Sequence, residues 1–116
     1  MEIRQHERSD AILLEVVGEI DLYNADVLKT ALIGMAQKKA DQLVVVDLAG
    51  VSYIDSSGIG ALISGKGALE KAGCAFALCS PAPSVRTVMR ITKLLSFFQV
   101  YESEKEALQA PRQINA

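Results

Sequence analysis

Leu43-Val44-Val45-Val46-Asp47-Leu48 is an almost unbroken run of branched aliphatic residues, without the polar alternation of a strand that has one wet face. Such a run suits a central strand covered on both sides. In a short chain the cover has to come from helices, and the flanking sequence provides them. On the N-terminal side Val27, Leu28, Ala31, Leu32, Met35 and Ala36 recur on one helical face, with Asn24 as the expected N-cap and Asp26 in the first turn. On the C-terminal side a second helix starts at the serines Ser56 and Ser57, runs through Ile59, Leu62, Ile63 and Leu69, and stops at Gly73.

The remaining segments extend this alternation. Ala11 to Val17 reads as a strand that stops at Gly18, and Glu2 to Glu7 can pair with it as a hairpin through Arg8-Ser9-Asp10. Cys74 to Cys79 is a further strand. Ser80 and Pro81 signal a helix carrying Val85, Val88 and Met89, and Phe97 to Tyr101 adds a short edge strand. A last helix opens on the capping box Ser103-Glu104-Lys105-Glu106. The order predicts an α/β chain of the α+β type, a mixed sheet of four to five strands with about four helices packed mainly on one side. Residues 1–110 are expected to form one domain, with Pro111 to Ala116 as a tail that frays.

Composition narrows the function classes. With 50% hydrophobic residues in 116, the chain can bury a single core and is not intrinsically disordered. The net charge of -2 and scattered Lys and Arg argue against direct nucleic-acid binding. The N-terminus Met1-Glu2-Ile3-Arg4 has no apolar signal segment, and no stretch approaches the roughly 20 apolar residues of a membrane span. A cytoplasmic protein that is not membrane-embedded is expected. Cys74 and Cys79 lie in an apolar run with only His6 as another soft ligand, so they read as buried small hydrophobes rather than a metal site.

The chemistry is concentrated in Asp55-Ser56-Ser57-Gly58-Ile59-Gly60, directly after the central strand. A helix start leaves backbone N–H groups unpaired and carries the positive end of the dipole, so a phosphate on a serine there would meet ready donors. Read from the residues alone, either serine is equally an ordinary N-cap. In this context the segment resembles the anti-sigma factor antagonists, one branch of the STAS domains. Gly18-Glu19-Ile20-Asp21 followed by a capped helix, and Cys79-Ser80-Pro81-Ala82, resemble further strand-to-helix junctions of the family, so the likeness covers nearly the whole chain.

The resemblance implies a non-enzymatic binding module with no cofactor. It implies that the unphosphorylated form captures an anti-sigma factor that is also a serine kinase, releasing a sigma factor. The kinase then uses ATP to phosphorylate Ser56 and frees itself, and a serine phosphatase resets the switch. Ser56 carries over as the phosphorylated residue, with Glu19, Asp21, Asp55, Ser57, Gly58 and Gly60 as partner-binding positions and Ser57 as the helix cap. Added charge beside Asp55 and Asp21 would repel a partner that brought its own carboxylates. One rival is a STAS subunit of a lipid-transport complex or a stress-signalling scaffold without a phosphoswitch. Another is a small enzyme with Ser56 or Ser57 as nucleophile, but His6 is the only histidine and no base and orienter accompany it.

The glycines call for a reason, because each costs up to about 1 kcal/mol against alanine inside a helix. For Gly58 and Gly60 close packing and the approach of a partner's backbone stand level; for Gly65 and Gly67 packing or fraying is favoured. Gly60 to Lys66 also imitates a phosphate-binding loop, but Gly67 replaces the required Ser or Thr and the segment falls inside a helix.

Overall fold

The computed structural model describes residues 1–38 and 41–112. The aliphatic run lies in the central strand β3, Leu43–Ile54, which continues well past Leu48. It is flanked in parallel by β2 (Ala11–Ile20) and β4 (Ala75–Cys79). The hairpin strand β1 (Glu2–Arg8) adds antiparallel to β2, and β5 (Val100–Tyr101) closes the other edge, giving the order β1-β2-β3-β4-β5. Between them run α1 (Ala25–Ala36), α2 (Ser56–Lys71) and α3 (Pro83–Ile91), with α4 (Glu104–Gln109) at the end. Among the described residues this is the mixed sheet with four helices that the alternation predicts.

Side chains alternate across the sheet, so Ile12, Leu14, Val44, Val46, Phe76 and Leu78 share one face. They pack with Leu28, Leu32 and Met35 of α1, Leu62 and Leu69 of α2, and Val85 and Met89 of α3 in the main core. The opposite face, with Leu13, Val45, Ala75, Ala77 and Cys79, is covered in part by Ala107 and Leu108 of α4. Three helices therefore cover one side and one short helix the other.

Several boundaries differ from the sequence reading, each for a local reason. Gly18 does not end β2; it sits inside the strand at φ +107, beside a register irregularity, and the strand runs on to Ile20. Phe98 does not join the edge strand but turns into the core against Phe76, at 6.2 Å between ring centres. The helix expected at Ser80-Pro81 starts at Pro83 because Ser80 takes a left-handed conformation, φ 55, with its N–H donating to Tyr101 O. Val27 was expected on the shared apolar face of α1 and is instead exposed. The C-terminal tail is described only to Arg112, whose guanidinium donates to the carbonyls of Asp10 and Asp41. The expected fraying of 113–116 lies outside the described residues.

The four α2 glycines fall into two kinds. A Cβ on Gly65 would lie 2.4 Å from Leu32 Cδ1 and 2.9 Å from Leu32 Cβ, so this glycine lets α1 and α2 meet. A Cβ on Gly58 would lie 2.7 Å from Ile54 Cγ1 and 2.8 Å from Ile20 Cγ2. Gly60 and Gly67 have open space, with nothing within 4 Å of an added Cβ, so packing within the described residues does not explain them. Gly67→Ala should therefore stabilise the protein by up to about 1 kcal/mol through helix propensity alone. Gly65→Ala should destabilise it by about 1–3 kcal/mol through overpacking, and paired denaturant titrations check both signs.

Cys74 and Cys79 are both buried and form no disulfide. Burial, assisted by Asp47, pushes the Cys79 thiol up to about 11. The folded state thus favours the neutral thiol, and this contribution is present below the unfolded value near 9 and lost as the pH rises through about 11. Melting curves from pH 8 to 11 on the native protein and on Cys79→Ala should show the difference between them shrinking across that window.

Candidate functional site

Parallel pairing places the ends of β2 and β3 side by side, with Ile20 opposite Ile54, so the turns leading into α1 and α2 emerge together. The crevice beyond the carboxyl ends of parallel strands is the usual place for a site in such sheets. Asp55 joins the two turns. Its N–H donates to Ile20 O at 3.2 Å. Its Oδ1 accepts from Ser57 N at 2.9 Å and Gly58 N at 3.1 Å, and its Oδ2 accepts from Leu22 N at 3.2 Å. One carboxylate caps α2 and holds the neighbouring turn.

The cap of α2 is therefore Asp55, not a serine. Ser57 was expected in that role, but it occupies the second helical position and donates its own N–H to Asp55. Ser56, the first helical residue, is exposed. The first-turn donors are also less available than a bare helix start suggests, since those of Ser57 and Gly58 are already taken. A phosphate on Ser56 would stand beside a carboxylate that keeps those donors.

Asn24 likewise does not cap α1 through its side chain. Its Oδ1 accepts from Asp21 N at 2.9 Å and its Nδ2 donates to Glu19 O at 2.9 Å, fixing the turn behind it. Asp21 Oδ1 accepts from Tyr23 N at 3.0 Å. Glu19, Asp21, Asp55, Ser56, Ser57 and Gly58 thus gather at one end of the sheet, and Gly60 follows one turn along α2. Gly58 is buried against Ile20 and Ile54, which holds the start of α2 close to β2.

Two features went unread in the sequence. Lys66 is only 6% exposed, with Nζ 2.9 Å from both carboxylate oxygens of Glu70 and 4.9 Å from the centre of the Phe97 ring. The i,i+4 spacing of Lys66 and Glu70 was a legible signal for this pair. The pair also occupies the lysine of the imitated phosphate loop, which lies in mid-helix as expected. The second unread feature is the exposed pair Leu22 and Tyr23, in the turn held by Asp55. Among the described residues no group of three or more His, Cys, Asp or Glu is placed to hold a metal ion, and no helix is long and apolar enough to cross a membrane.

Residues 2–107 match the family model of the STAS domain. The chain is similar to the anti-sigma F factor antagonist of Paenibacillus polymyxa, 21% identical over 93% of this chain and 92% of that protein. It is 30% identical to the anti-sigma-B factor antagonist of Listeria monocytogenes, over 91% of each chain. Its fold superposes on the anti-sigma factor antagonist SpoIIAA in the unphosphorylated form with a TM-score of 0.76 at 22% identity, covering 92% of this chain and 93% of that one. On the phosphorylated form of SpoIIAA from Bacillus the TM-score is 0.69 at 21% identity, covering 92% and 96%.

The geometry separates the roles of Asp55 and Ser56. Asp55→Ala should cost about 1–2 kcal/mol by removing the cap and freeing the Leu22 N–H, whereas Ser56→Ala should stay within about 0.5 kcal/mol of native. Asp55→Asn should fall between them, because one oxygen can still cap α2 while the amide group cannot accept from Leu22. Thermal unfolding of the three variants tests this order.

Proposed function

Since the chain belongs to the STAS domain family, we propose that it is an anti-sigma factor antagonist whose binding is switched off by phosphorylation of Ser56. The observation that carries this reading is the exposed serine at the first position of α2, on a helix start fixed by Asp55 and set beside the acidic turn of Glu19 and Asp21. Relatives spanning nearly the full chain carry the name of anti-sigma factor antagonist, and SpoIIAA has been solved in both phosphorylation states.

On this reading the chain works in the cytoplasm and is not itself an enzyme. Unphosphorylated, it holds an anti-sigma factor through Glu19, Asp21 and the segment from Asp55 to Gly60, and the sigma factor goes free. The anti-sigma factor is also the kinase. It transfers the γ-phosphoryl group of ATP to Ser56 Oγ, which gives up its proton as ADP leaves. A serine phosphatase hydrolyses the ester and restores binding. The phosphate adds about -1.5 to -2 charges to a place that already carries Asp55. Because Asp55 keeps the N–H groups of Ser57 and Gly58, those donors do not neutralise the new charge.

Incubation with the partner kinase and ATP should add one phosphate, located on Ser56 by peptide mass spectrometry and absent from Ser56→Ala. Ser56→Asp should reproduce much of the loss of anti-sigma factor binding. A phosphate found only on Ser57, or a Ser56→Asp protein that binds like the native one, would contradict the reading.

A further inference from the structure

β2 pairs with one side of β1, and no strand among the described residues pairs with the other. An open edge seven residues long is a template for a further strand, and proteins usually blunt such an edge with charge. The opposite edge, β5, has only two residues. On β1 the charges are of both signs. Glu2, Arg4, His6 and Arg8 lie on the face away from α1, while Ile3 and Gln5 lie on the side of α1.

Those charges select a partner strand. When two copies of β1 pair antiparallel with Gln5 on the two-fold axis, each Glu2 faces the partner's Arg8 and each Arg4 faces the partner's His6. Within one chain Arg4 donates to Glu2, and Arg8 Nε donates to Glu104 at 2.8 Å. The contact therefore completes a row of alternating sign, from Arg4 through Glu2 and the partner's Arg8 to the partner's Glu104. Moving the axis to Arg4 sets Arg4 against the partner's Arg4, and moving it to His6 sets Arg4 against the partner's Arg8. Only the Gln5 register satisfies the charges.

The helix above the strand agrees with this register. Ile3 and Gln5 line a groove of about 290 Å³ together with Thr30, Ala31 and Gly34 of α1. Gly34 costs helix propensity, and a Cβ added there would meet nothing within 4 Å, so packing among the described residues does not explain it. An axis at Gln5 turns this groove towards its own copy, where the missing side chain lets the two α1 helices approach. We infer that β1 and the Thr30/Gly34 face of α1 form a self-association surface, joining two copies of this chain through a sheet that continues from one to the other. The inference does not rest on the proposed switch. The antiparallel arrangement sends the ends of β2 and β3 in opposite directions, so the two Ser56 sites lie at opposite ends of the joined sheet.

Sedimentation equilibrium between about 1 μM and 1 mM should show the mass rising from 12.5 kDa toward twice that value. Glu2→Arg and Arg8→Glu should each weaken the dimer by at least about threefold, and the double variant, which restores opposite signs across the axis, should recover most of the loss. Gly34→Leu should leave the monomer folded, since the space is open, and weaken the dimer by at least about tenfold. Register is read by Gln5→Cys. On the axis the two thiols are within disulfide reach, so mild oxidation should link two copies, whereas Glu7→Cys and the native protein, whose cysteines are buried, should not link. A mass that stays at 12.5 kDa would leave the edge to a strand from another protein and overturn the inference. So would Gln5→Cys that does not link, or single charge variants within about twofold of native.

Discussion

The carboxylate of Asp55 turns two separate strand-to-helix connections into one site. Two parallel strands can end side by side and still leave their following loops independent. Here Oδ1 takes the first free donors of α2 while Oδ2 reaches across to Leu22 of the turn before α1. The acidic turn, the serines and the exposed apolar pair are then positioned relative to one another by this carboxylate, together with the β2–β3 pairing and the Asn24 side chain. An aspartate suits the place because a carboxylate accepts at both oxygens and carries the charge favoured at a helix start.

The far end of the same helix is secured by different means. Gly65 admits Leu32 of α1, and the Lys66–Glu70 pair lies under Phe97, so the C-terminal half of α2 is locked between its neighbours. Buried ion pairs add little net stability once desolvation is counted, so the pair is better understood as fixing one arrangement than as strengthening the fold. At the N-terminal end Gly58 is clamped by Ile20 and Ile54, whereas Gly60 faces open space. The helix is rigidly placed, yet presents a smooth surface next to Ser56.

Much of this was legible in the sequence because strong periodic signals dominate short-range structure. The aliphatic run Leu43 to Leu48 identified the central strand, and the Ser103 box marked α4, where Ser103 Oγ does accept from Glu106 N. What failed were choices between neighbouring groups with similar chemistry. Asp55, Ser56 and Ser57 can each cap a helix, and sequence alone does not show which backbone is extended enough to do so; at Asp55 it is, with φ -108 and ψ -173. Asn24 does hold the N-cap position of α1, but its side chain works backward on Glu19 and Asp21 instead of capping the helix, since an amide can bond in either direction. Val27 fits the apolar period but falls on the solvent side, because the burial of Leu28 and Leu32 sets the helix's rotation.

The picture that results is a fixed frame, on which the proposed phosphorylation of Ser56 would change charge rather than shape. Its central claim is that the network around Asp55 survives modification of Ser56. Comparison of backbone amide NMR shifts between the free and Ser56-phosphorylated protein tests this most directly. Changes confined to residues 19–24 and 55–60 are the predicted result. Changes spreading through β3, β4 or α4 would contradict it and would mean that the phosphate breaks the Asp55 bridge and moves the fold.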